Sequence, residues 1–254
     1  MNIAEDARWI GQPLDLGSDL KAEVANTRHL VRLLSDHANA NRASAAAAYA
    51  CDLLDKTLAA KVTGPVACAK GCHHCCHTYV SATIPEILRL AAVIRENNLP
   101  IAGITDAAGR AAAIGQDGRF LNRVSCPLLS DGACTAYGGR PLACRTMLSR
   151  SLQACLDYFP LTGAGALMYA GGARETRGRV EIIFLAALSL AQLPRQHIEL
   201  TQGLAIALTE DDVEERWLAG ENLFAGVAAD TGEGEGDALK TWVPILVNAV
   251  RATL

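Results

Sequence analysis

The sequence predicts a mainly α-helical fold, an irregular helical domain that contains a cysteine-rich loop region and little or no sheet. Apolar residues recur at intervals of three and four on both sides of that region, the spacing that buries one face of a helix. Strand and helix patterns do not alternate and no internal repeat is present, so neither a parallel sheet nor a repeat array is expected. Half of the 254 residues are hydrophobic and 20% are charged, which indicates a globular protein with a substantial core.

Two helices are predicted before the cysteine-rich region. The first has an apolar face made of Leu20, Val24, Thr27, Val31 and Leu34. Either Ser18 or Asp19 can cap its N-terminus. The second has an apolar face made of Ala46, Ala50, Leu53 and Thr57. Gly64-Pro65 ends it, and we expect the two to form a hairpin that packs over the cysteine region.

A third helix follows the first cysteines, and further helices are predicted near the C-terminus. The third has an apolar face made of Ile84, Ile87, Leu88, Ala91 and Ile94. Pro85 suits its first turn, where a missing N–H costs nothing. Residues 120–145 contain Pro and Gly every few positions, which predicts an irregular loop with short turns. The later helices are expected near residues 180–193, 197–208, 211–219 and 238–252.

Smaller features complete this description. Pro244 is expected to kink the last helix or delay its start. Residues 163–172 and 231–236 have the composition of flexible connectors. The three histidines outside the cysteine region are interpreted as ordinary helix residues: His29, His37 and His197. We divide the chain into an N-terminal helical hairpin, a metal-binding region and a C-terminal helical region within one compact domain, at residues 1–64, 65–156 and 157–254.

Charge and hydropathy exclude several classes of partner. The net charge of −4 provides no positive surface for a nucleic-acid backbone. The N-terminus lacks the basic and apolar segments of a signal peptide, and the apolar run at 182–193 is too short to span a bilayer core of about 30 Å. We therefore expect a cytoplasmic protein that does not bind a membrane. Thiols stay reduced in that compartment, which disfavours disulfides, as do the odd cysteine count and the adjacent Cys75-Cys76 pair.

Seven of the nine cysteines form the most distinctive pattern in the chain. They occur as Cys68-x3-Cys72-x2-Cys75-Cys76, then Cys126-Pro127-x6-Cys134, then Arg140-Pro141-x2-Cys144-Arg145. Thiolates are strong ligands for zinc and iron, so the predicted metal ligands are Cys68, Cys72, Cys75, Cys76, Cys126, Cys134 and Cys144. Three nearby imidazoles are further possible ligands: His73, His74 and His77. A closed zinc site takes four ligands, so the seven thiols and three imidazoles exceed the number that one zinc ion needs. This surplus favours two metals or an iron–sulfur cluster over one zinc.

The first segment can present its thiols in two ways. If residues 68–76 form a helix, Cys68, Cys72 and either Cys75 or Cys76 share one face. Gly71 allows a sharper bend if the segment is a loop. On a helix the adjacent pair would point about 100° apart, so both are not expected to bind the same tetrahedral ion.

Three cations and two further cysteines near the pattern are not assigned as ligands. Lys70, Arg140 and Arg145 lie beside the thiols in sequence, where their charges would offset thiolates; each can equally be an ordinary solvated cation. Cys51 lies in an alanine-rich apolar helix and is interpreted as a small buried hydrophobe. Cys155 has no spacing that connects it to the cluster, and neither residue is included among the ligands.

The complete pattern from residue 65 to residue 148 resembles the CxxCxxCC (YkgJ-type) family of cysteine-cluster proteins, which is named for zinc or iron chelation. The resemblance rests on the four cysteines of the first segment, on Cys126-Pro127-Leu128-Leu129, and on Cys134-x2-Tyr137-x2-Arg140-Pro141-x2-Cys144-Arg145. It implies metal binding and no particular reaction. One branch of the family resembles a flagellin lysine N-methylase, which implies S-adenosylmethionine as a methyl donor in that alternative.

Three functions therefore remain open at this stage. The first is a zinc- or iron-binding protein, the second is an enzyme that modifies protein side chains with S-adenosylmethionine, and the third is an interaction scaffold with structural zinc. Cys68, Cys72 and Cys75 also have the spacing of the radical S-adenosylmethionine signature, but the helical pattern does not supply the (β/α) barrel of that superfamily. A protein partner or substrate is compatible with each function and is not identified by the sequence.

Overall fold

The computed structural model describes residues 20–69, 71–159, 167–228 and 237–253. Ser18, Asp19 and Lys70 and the connector at 231–236 lie outside these residues, as does part of the 163–172 connector. The described part contains ten α-helices: α1 Leu20–Leu34, α2 Arg42–Lys61, α3 Ile84–Glu96, α4 Ile104–Leu121, α5 Leu142–Thr146, α6 Leu152–Tyr158, α7 Ala173–Leu190, α8 Leu200–Thr209, α9 Val213–Leu218 and α10 Asp237–Arg251. The predicted mainly α fold is confirmed.

Sheet is limited to two antiparallel pairs of very short strands among the described residues. Strand β1 (Ser81–Thr83) pairs with β4 (His197–Glu199), with Thr83 opposite His197. Strands β2 (Leu129–Ser130) and β3 (Ala133–Cys134) form a hairpin. Two 3₁₀ helices, His74–His77 and Tyr137–Gly139, lie within the cysteine-rich segments.

Several predicted elements need correction. His197 begins a strand and His37 follows the end of α1, so the interpretation of both as helix residues is wrong. The helix predicted at 180–193 starts earlier, at Ala173, behind Gly172 at φ +81°. Pro244 lies inside α10, whose start it does not delay beyond Asp237. Helices α4, α5 and α6 were not predicted, and α5 begins within the segment expected to be an irregular loop.

Two apolar cores organise the helices. Helix α7 lies at the centre of the first core, where it packs against α1, α2, α5 and α10. Helices α3 and α8 form the second core with α4, and α3 also packs against α2. Leu142 belongs to the first core, whereas Leu128 and Ala136 belong to the second. The cysteine-rich segments are therefore attached to both cores.

The start of α3 is fixed by a buried capping box. The Glu86 carboxylate accepts hydrogen bonds from the Thr83 N–H at 2.9 Å and from the Thr83 hydroxyl at 2.7 Å. Pro85 lies in the first turn, as predicted. In the described residues no helix combines the length and apolar character needed to cross a membrane.

Candidate metal centre

The first cysteine segment is a loop followed by a single short turn of helix. Cys68 and Cys72 lie in irregular backbone, so the α-helical alternative for residues 68–76 is wrong. Gly71 has φ +92°, a left-handed conformation that suits glycine and interrupts any helix there. Only His74–His77 forms a 3₁₀ helix, which carries Cys75 and Cys76. Gly71 therefore separates the loop that carries Cys68 from the short helix that carries Cys75 and Cys76.

The second segment is a hairpin that joins the first through the backbone. The N–H of Cys126 donates a hydrogen bond to the carbonyl oxygen of Cys76 at 2.8 Å. Asp131 and Gly132 both have positive φ, the backbone of a tight hairpin turn, and Cys134 pairs with Leu129 on the returning strand. The hairpin thus brings Cys134 back toward Cys126 and Cys76.

The third segment places Cys144 among these thiols. It lies in α5, which begins where the N–H of Leu142 donates a hydrogen bond to Glu86 Oε1 at 2.8 Å. Burial raises the pKa of the Cys144 thiol, and the charges of the neighbouring thiols Cys126, Cys76 and Cys134 raise it further. Burial also raises the pKa of Cys134, with a further contribution from Cys76. The four thiols therefore lie close enough to influence one another's ionisation.

Cys75 and Cys76 share a hydrogen bond that shifts the pKa values of their thiols in opposite directions. The bond with Cys76 raises the pKa of Cys75, and burial raises it further. The same bond lowers the pKa of Cys76 to about 7, against the opposing effect of burial and with help from the charges of His73 and Arg140. A thiolate is the metal-binding form of cysteine, so Cys76 is prepared to bind a cation near neutral pH.

The two arginines near the thiols have different roles. The Arg140 charge lowers the pKa values of Cys76, Cys134 and Cys144, as expected of a cation that offsets thiolates. Its guanidinium lies 3.5 Å from the centre of the Tyr137 ring. Arg145 instead donates hydrogen bonds to backbone carbonyls and to Asp55, and holds the loop that carries Arg140.

The histidines of the first segment lie together beside the thiols. The rings of His73 and His74 are stacked with their centres 5.1 Å apart. His73 Nδ1 lies 3.2 Å from the carbonyl oxygen of Gly71. His77 Nδ1 is buried and has no hydrogen-bond partner among the described residues. It can therefore accept a hydrogen bond from water or coordinate a cation.

A small cavity lies beside the first segment. Its volume is about 20 Å³, and its sulfur-bearing and imidazole walls are Cys68, Cys72, His74, Cys75, Met147 and Cys155. Cys155, which the sequence analysis left out, is therefore beside the predicted ligands. No spacing within the pattern indicated it. The only available signal was the number of cysteines, which exceeds the seven that the pattern uses.

The donor chemistry fits a thiophilic metal. No disulfide joins any of the nine cysteines, and seven of the free thiols come from the three segments described above. As the side chains stand, no group of three or more His, Cys, Asp or Glu residues in the described part of the chain is arranged to hold an ion. The fit therefore rests on the type and number of donors and on the unpartnered His77 nitrogen.

Comparison with known proteins assigns this region to a family. Residues 67–158, about a third of the chain, match the CxxCxxCC family model, whose description is "Putative zinc- or iron-chelating domain". No curated protein matches the chain, and no solved structure matches it. The matched residues contain the seven predicted ligands and Cys155, so over this region the chain is similar to the CxxCxxCC family.

Proposed function

We propose that this protein binds zinc or iron through a cluster of seven thiolates: Cys68, Cys72, Cys75, Cys76, Cys126, Cys134 and Cys144. The proposal rests on the close approach of three separate segments. Cys126 is hydrogen-bonded through its backbone to Cys76, and Cys144 is electrostatically coupled to Cys76, Cys126 and Cys134. Buried like-charged groups oppose one another's ionisation, and a cation removes that repulsion.

The number of donors indicates more than one mononuclear ion. Seven thiols exceed the four of a closed zinc site, so the cluster holds two metals or an iron–sulfur cluster. Zinc would stabilise the fold or act as a reserve of metal, because this ion has no redox chemistry. Iron with sulfide would permit electron transfer.

Elemental analysis of protein purified without oxygen tests the proposal. Iron–sulfur protein is expected to be brown, with a broad absorbance band at roughly 400 nm. Colourless protein with stoichiometric zinc supports the zinc version and excludes the cluster. Protein that retains neither metal after purification, and takes up neither when zinc or ferrous iron with sulfide is supplied, contradicts the proposed function.

A scaffold with structural zinc is the alternative that the fold favours. Leu142 lies in one apolar core and Leu128 in the other, so a metal that joins their segments would also link the two cores. In that case the Cys72→Ser variant should unfold while no small molecule binds the metal-loaded protein. The scaffold's protein partner is not identified.

The methylase alternative requires a pocket for S-adenosylmethionine. The cavity beside Cys68 and Cys72 has a volume of about 20 Å³, whereas pockets for ligands of that size are roughly 300 Å³ or larger. This cavity is thus too small for the cofactor. If the alternative is correct, S-adenosylmethionine raises the melting temperature of the purified protein; no shift at saturating cofactor excludes it.

We also propose a cellular location and a domain organisation for this protein. Nine cysteines without a disulfide suit a reducing compartment, so we place the protein in the cytoplasm. The metal ion is the proposed partner, and we infer no nucleic-acid or membrane binding. We retain the division into residues 1–64, 65–156 and 157–254, with the thiols in the middle region.

A further inference from the structure

We propose that Cys155 is an eighth ligand, and that it completes a four-thiolate site for one divalent ion with Cys68, Cys72 and Cys75. A second, separate site then consists of Cys76, Cys126, Cys134 and Cys144. This inference rests on the proposed function, because it divides the ligands of that metal centre into two groups.

The cavity described above is the first observation that supports this division. Four thiols from two separate parts of the chain line it: Cys68, Cys72, Cys75 and Cys155. A space of about 20 Å³ accepts one water-sized particle, which is also the scale of a single bare metal ion. The other walls are largely apolar, including Phe159 and Leu167. A small, largely apolar space lined by four thiols suits a soft cation better than an organic ligand.

The position of Cys155 is fixed by the fold around it. Helix α6 is capped by the Ser151 hydroxyl, which accepts a hydrogen bond from the Ala154 N–H at 3.1 Å, and α6 packs against the 3₁₀ helix that carries Cys75. Cys155 is 5% exposed. Its side chain lines the same cavity as those of Cys68 and Cys72.

The 3₁₀ helix explains why adjacent cysteines belong to different sites. With three residues per turn, consecutive side chains point about 120° apart. Cys75 lines the cavity with Cys68, whereas Cys76 is not part of its lining and accepts a backbone hydrogen bond at its carbonyl oxygen from the N–H of Cys126, in the other group, at 2.8 Å. Each member of the pair thus supplies one thiolate to one site, and eight thiols divide into two sets of four.

Four is the ligand number of a closed tetrahedral zinc site. A Zn–S bond of about 2.3 Å places the sulfur atoms roughly 3.8 Å apart. The thiols as they stand are not arranged to hold an ion, so they must move inward when it binds. One ligand is already supported from outside the site. The Ser149 N–H donates a hydrogen bond to Cys68 Sγ at 3.2 Å, the type of interaction that stabilises a metal-bound thiolate.

Zinc stoichiometry of single variants tests the division. Full-length protein reconstituted anaerobically with Zn²⁺ should bind about two ions per chain, and Cys155→Ser should bind about one. Cys144→Ser should also bind about one, and the double variant should bind none. Cys51→Ser is the matched control, because Cys51 is also 5% exposed and helical, and its electrostatic neighbours are Glu86, Arg145 and Asp55. It should keep both ions.

Each outcome separates this inference from the function on which it rests. If Cys155→Ser retains two ions, or if wild-type protein binds only one, the four-plus-four division is wrong while metal binding stands. If wild-type protein binds no metal, the proposed function itself fails. His74 also lines the cavity, so a loss of zinc in His74→Gln together with retention in Cys155→Ser would assign the fourth position to imidazole and overturn the inference.

A second measurement covers the case in which Cys155→Ser does not fold. In wild-type protein loaded with Zn²⁺, chelation should make Cys155 reactive toward a thiol-alkylating reagent, as located by mass spectrometry, because its protecting bond is removed. Cys51 is equally buried and should keep its reactivity unchanged. Equal responses of the two cysteines to the chelator would contradict the assignment. Substitution of Co²⁺ adds a count of Co–S bonds, through thiolate-to-metal charge-transfer intensity that falls by about half in Cys155→Ser.

Discussion

Glu86 Oε1 accepts a hydrogen bond from the backbone N–H of Leu142 at 2.8 Å, and this bond connects the first turn of α3 to the first turn of α5. The other carboxylate oxygen closes the capping box with Thr83. Glu86 is 3% exposed, so one buried carboxylate holds both the helix of the second core and the helix that carries Cys144.

Glu86→Ala should destabilise the protein by about 3 kcal/mol. The substitution removes a helix cap and leaves the N–H groups of Thr83 and Leu142 buried without acceptors, each a cost of about 1–3 kcal/mol. Urea unfolding monitored by circular dichroism measures the change. Glu96→Ala, at the exposed end of the same helix, loses only a surface pair with Arg89 and should change stability by less than about 1 kcal/mol. Equal effects of the two substitutions would contradict the buried role of Glu86.

The helices α1 and α3 could be predicted because each has a clear apolar face opposite a polar one. Helix α4 was missed because its sequence is rich in alanine and glycine, with little contrast between faces, and it is interrupted at Gly115. His197 was assigned to a helix because its strand exists only by pairing with β1, far away in the chain. Local periodicity does not contain that information.

The candidate site shows the same division between local and distant information. Seven thiols could be selected from their spacing, and their role as ligands remains a prediction. Cys155 could not be selected, because the turn of chain between Ser149 and Ser151 and the packing of α6 bring it to the cavity. The choice between helix and loop for residues 68–76 depended on Gly71, whose left-handed backbone the sequence permitted but did not require.

Gly203→Ala should destabilise the protein by about 1–3 kcal/mol, although alanine favours helices. A methyl group on Gly203 in α8 would lie 2.7 Å from Ile87 Cδ1 and 3.0 Å from Ile198 Cδ1. Both isoleucines are fully buried and cannot move aside without disturbing the second core.

Gly109→Ala is the matched control for that substitution. Gly109 lies in α4, and an added methyl group would meet nothing within 4 Å. Helix propensity alone then applies, so stability should increase by up to about 1 kcal/mol. Urea unfolding of both variants gives the comparison, and stabilisation by Gly203→Ala would show that α3 and α8 are not packed as described.

The ion pair between His197 and Glu181 should make stability depend on pH. His197 Nε2 lies 2.9 Å from Glu181 Oε1. Burial alone would lower the pKa of His197, but the hydrogen bond and charge of Glu181 outweigh it and raise the pKa, with Glu86 adding to and Arg177 opposing the effect. Because the pKa of His197 is higher in the folded state, the ion pair stabilises the protein fully at pH values below the unfolded-state pKa of about 6.5. The stabilisation is lost as the pH rises through the folded-state pKa.

The stability difference between wild type and His197→Gln should therefore shrink from pH 6 to pH 9. Burial opposes ionisation of Glu181, yet the charge of Arg177 and the bond from His197 lower its pKa to about 2, so Glu181 stays ionised throughout this range. Chemical unfolding at each pH provides the measurement. In a Glu181→Gln background burial lowers the pKa of His197, so the decrease of this difference with rising pH should disappear. A difference that stays constant with pH in the wild-type background would contradict this account.

Arg145→Lys should loosen the loop between Cys134 and Cys144. The guanidinium donates to the Arg140 carbonyl at 2.7 Å and to the Gly138 carbonyl at 2.6 Å, and it also pairs with Asp55. A lysine ammonium cannot reproduce this planar set of donors. Limited proteolysis of metal-free protein should show faster cleavage in this loop.

Asp55→Asn separates the surface ion pair from the backbone contacts of Arg145. Asp55 is half exposed, so its removal should cost less than about 1 kcal/mol and leave the cleavage rate nearly unchanged. If Asp55→Asn is cleaved as fast as Arg145→Lys, the ion pair and not the carbonyl contacts holds the loop.

Cys72→Ser should lower metal content by about half or more, whereas Cys51→Ser should leave it unchanged. Cys72 lines the cavity together with Cys68 and Cys75, and a serine hydroxyl is a poor ligand for a thiophilic cation. Cys51 donates a long hydrogen bond to the Arg140 carbonyl at 3.8 Å, and burial raises its pKa to about 12, so it stays a neutral thiol. Elemental analysis of both variants, with folding checked by circular dichroism, makes the comparison. Equal loss of metal from the two proteins would place the centre elsewhere in the chain.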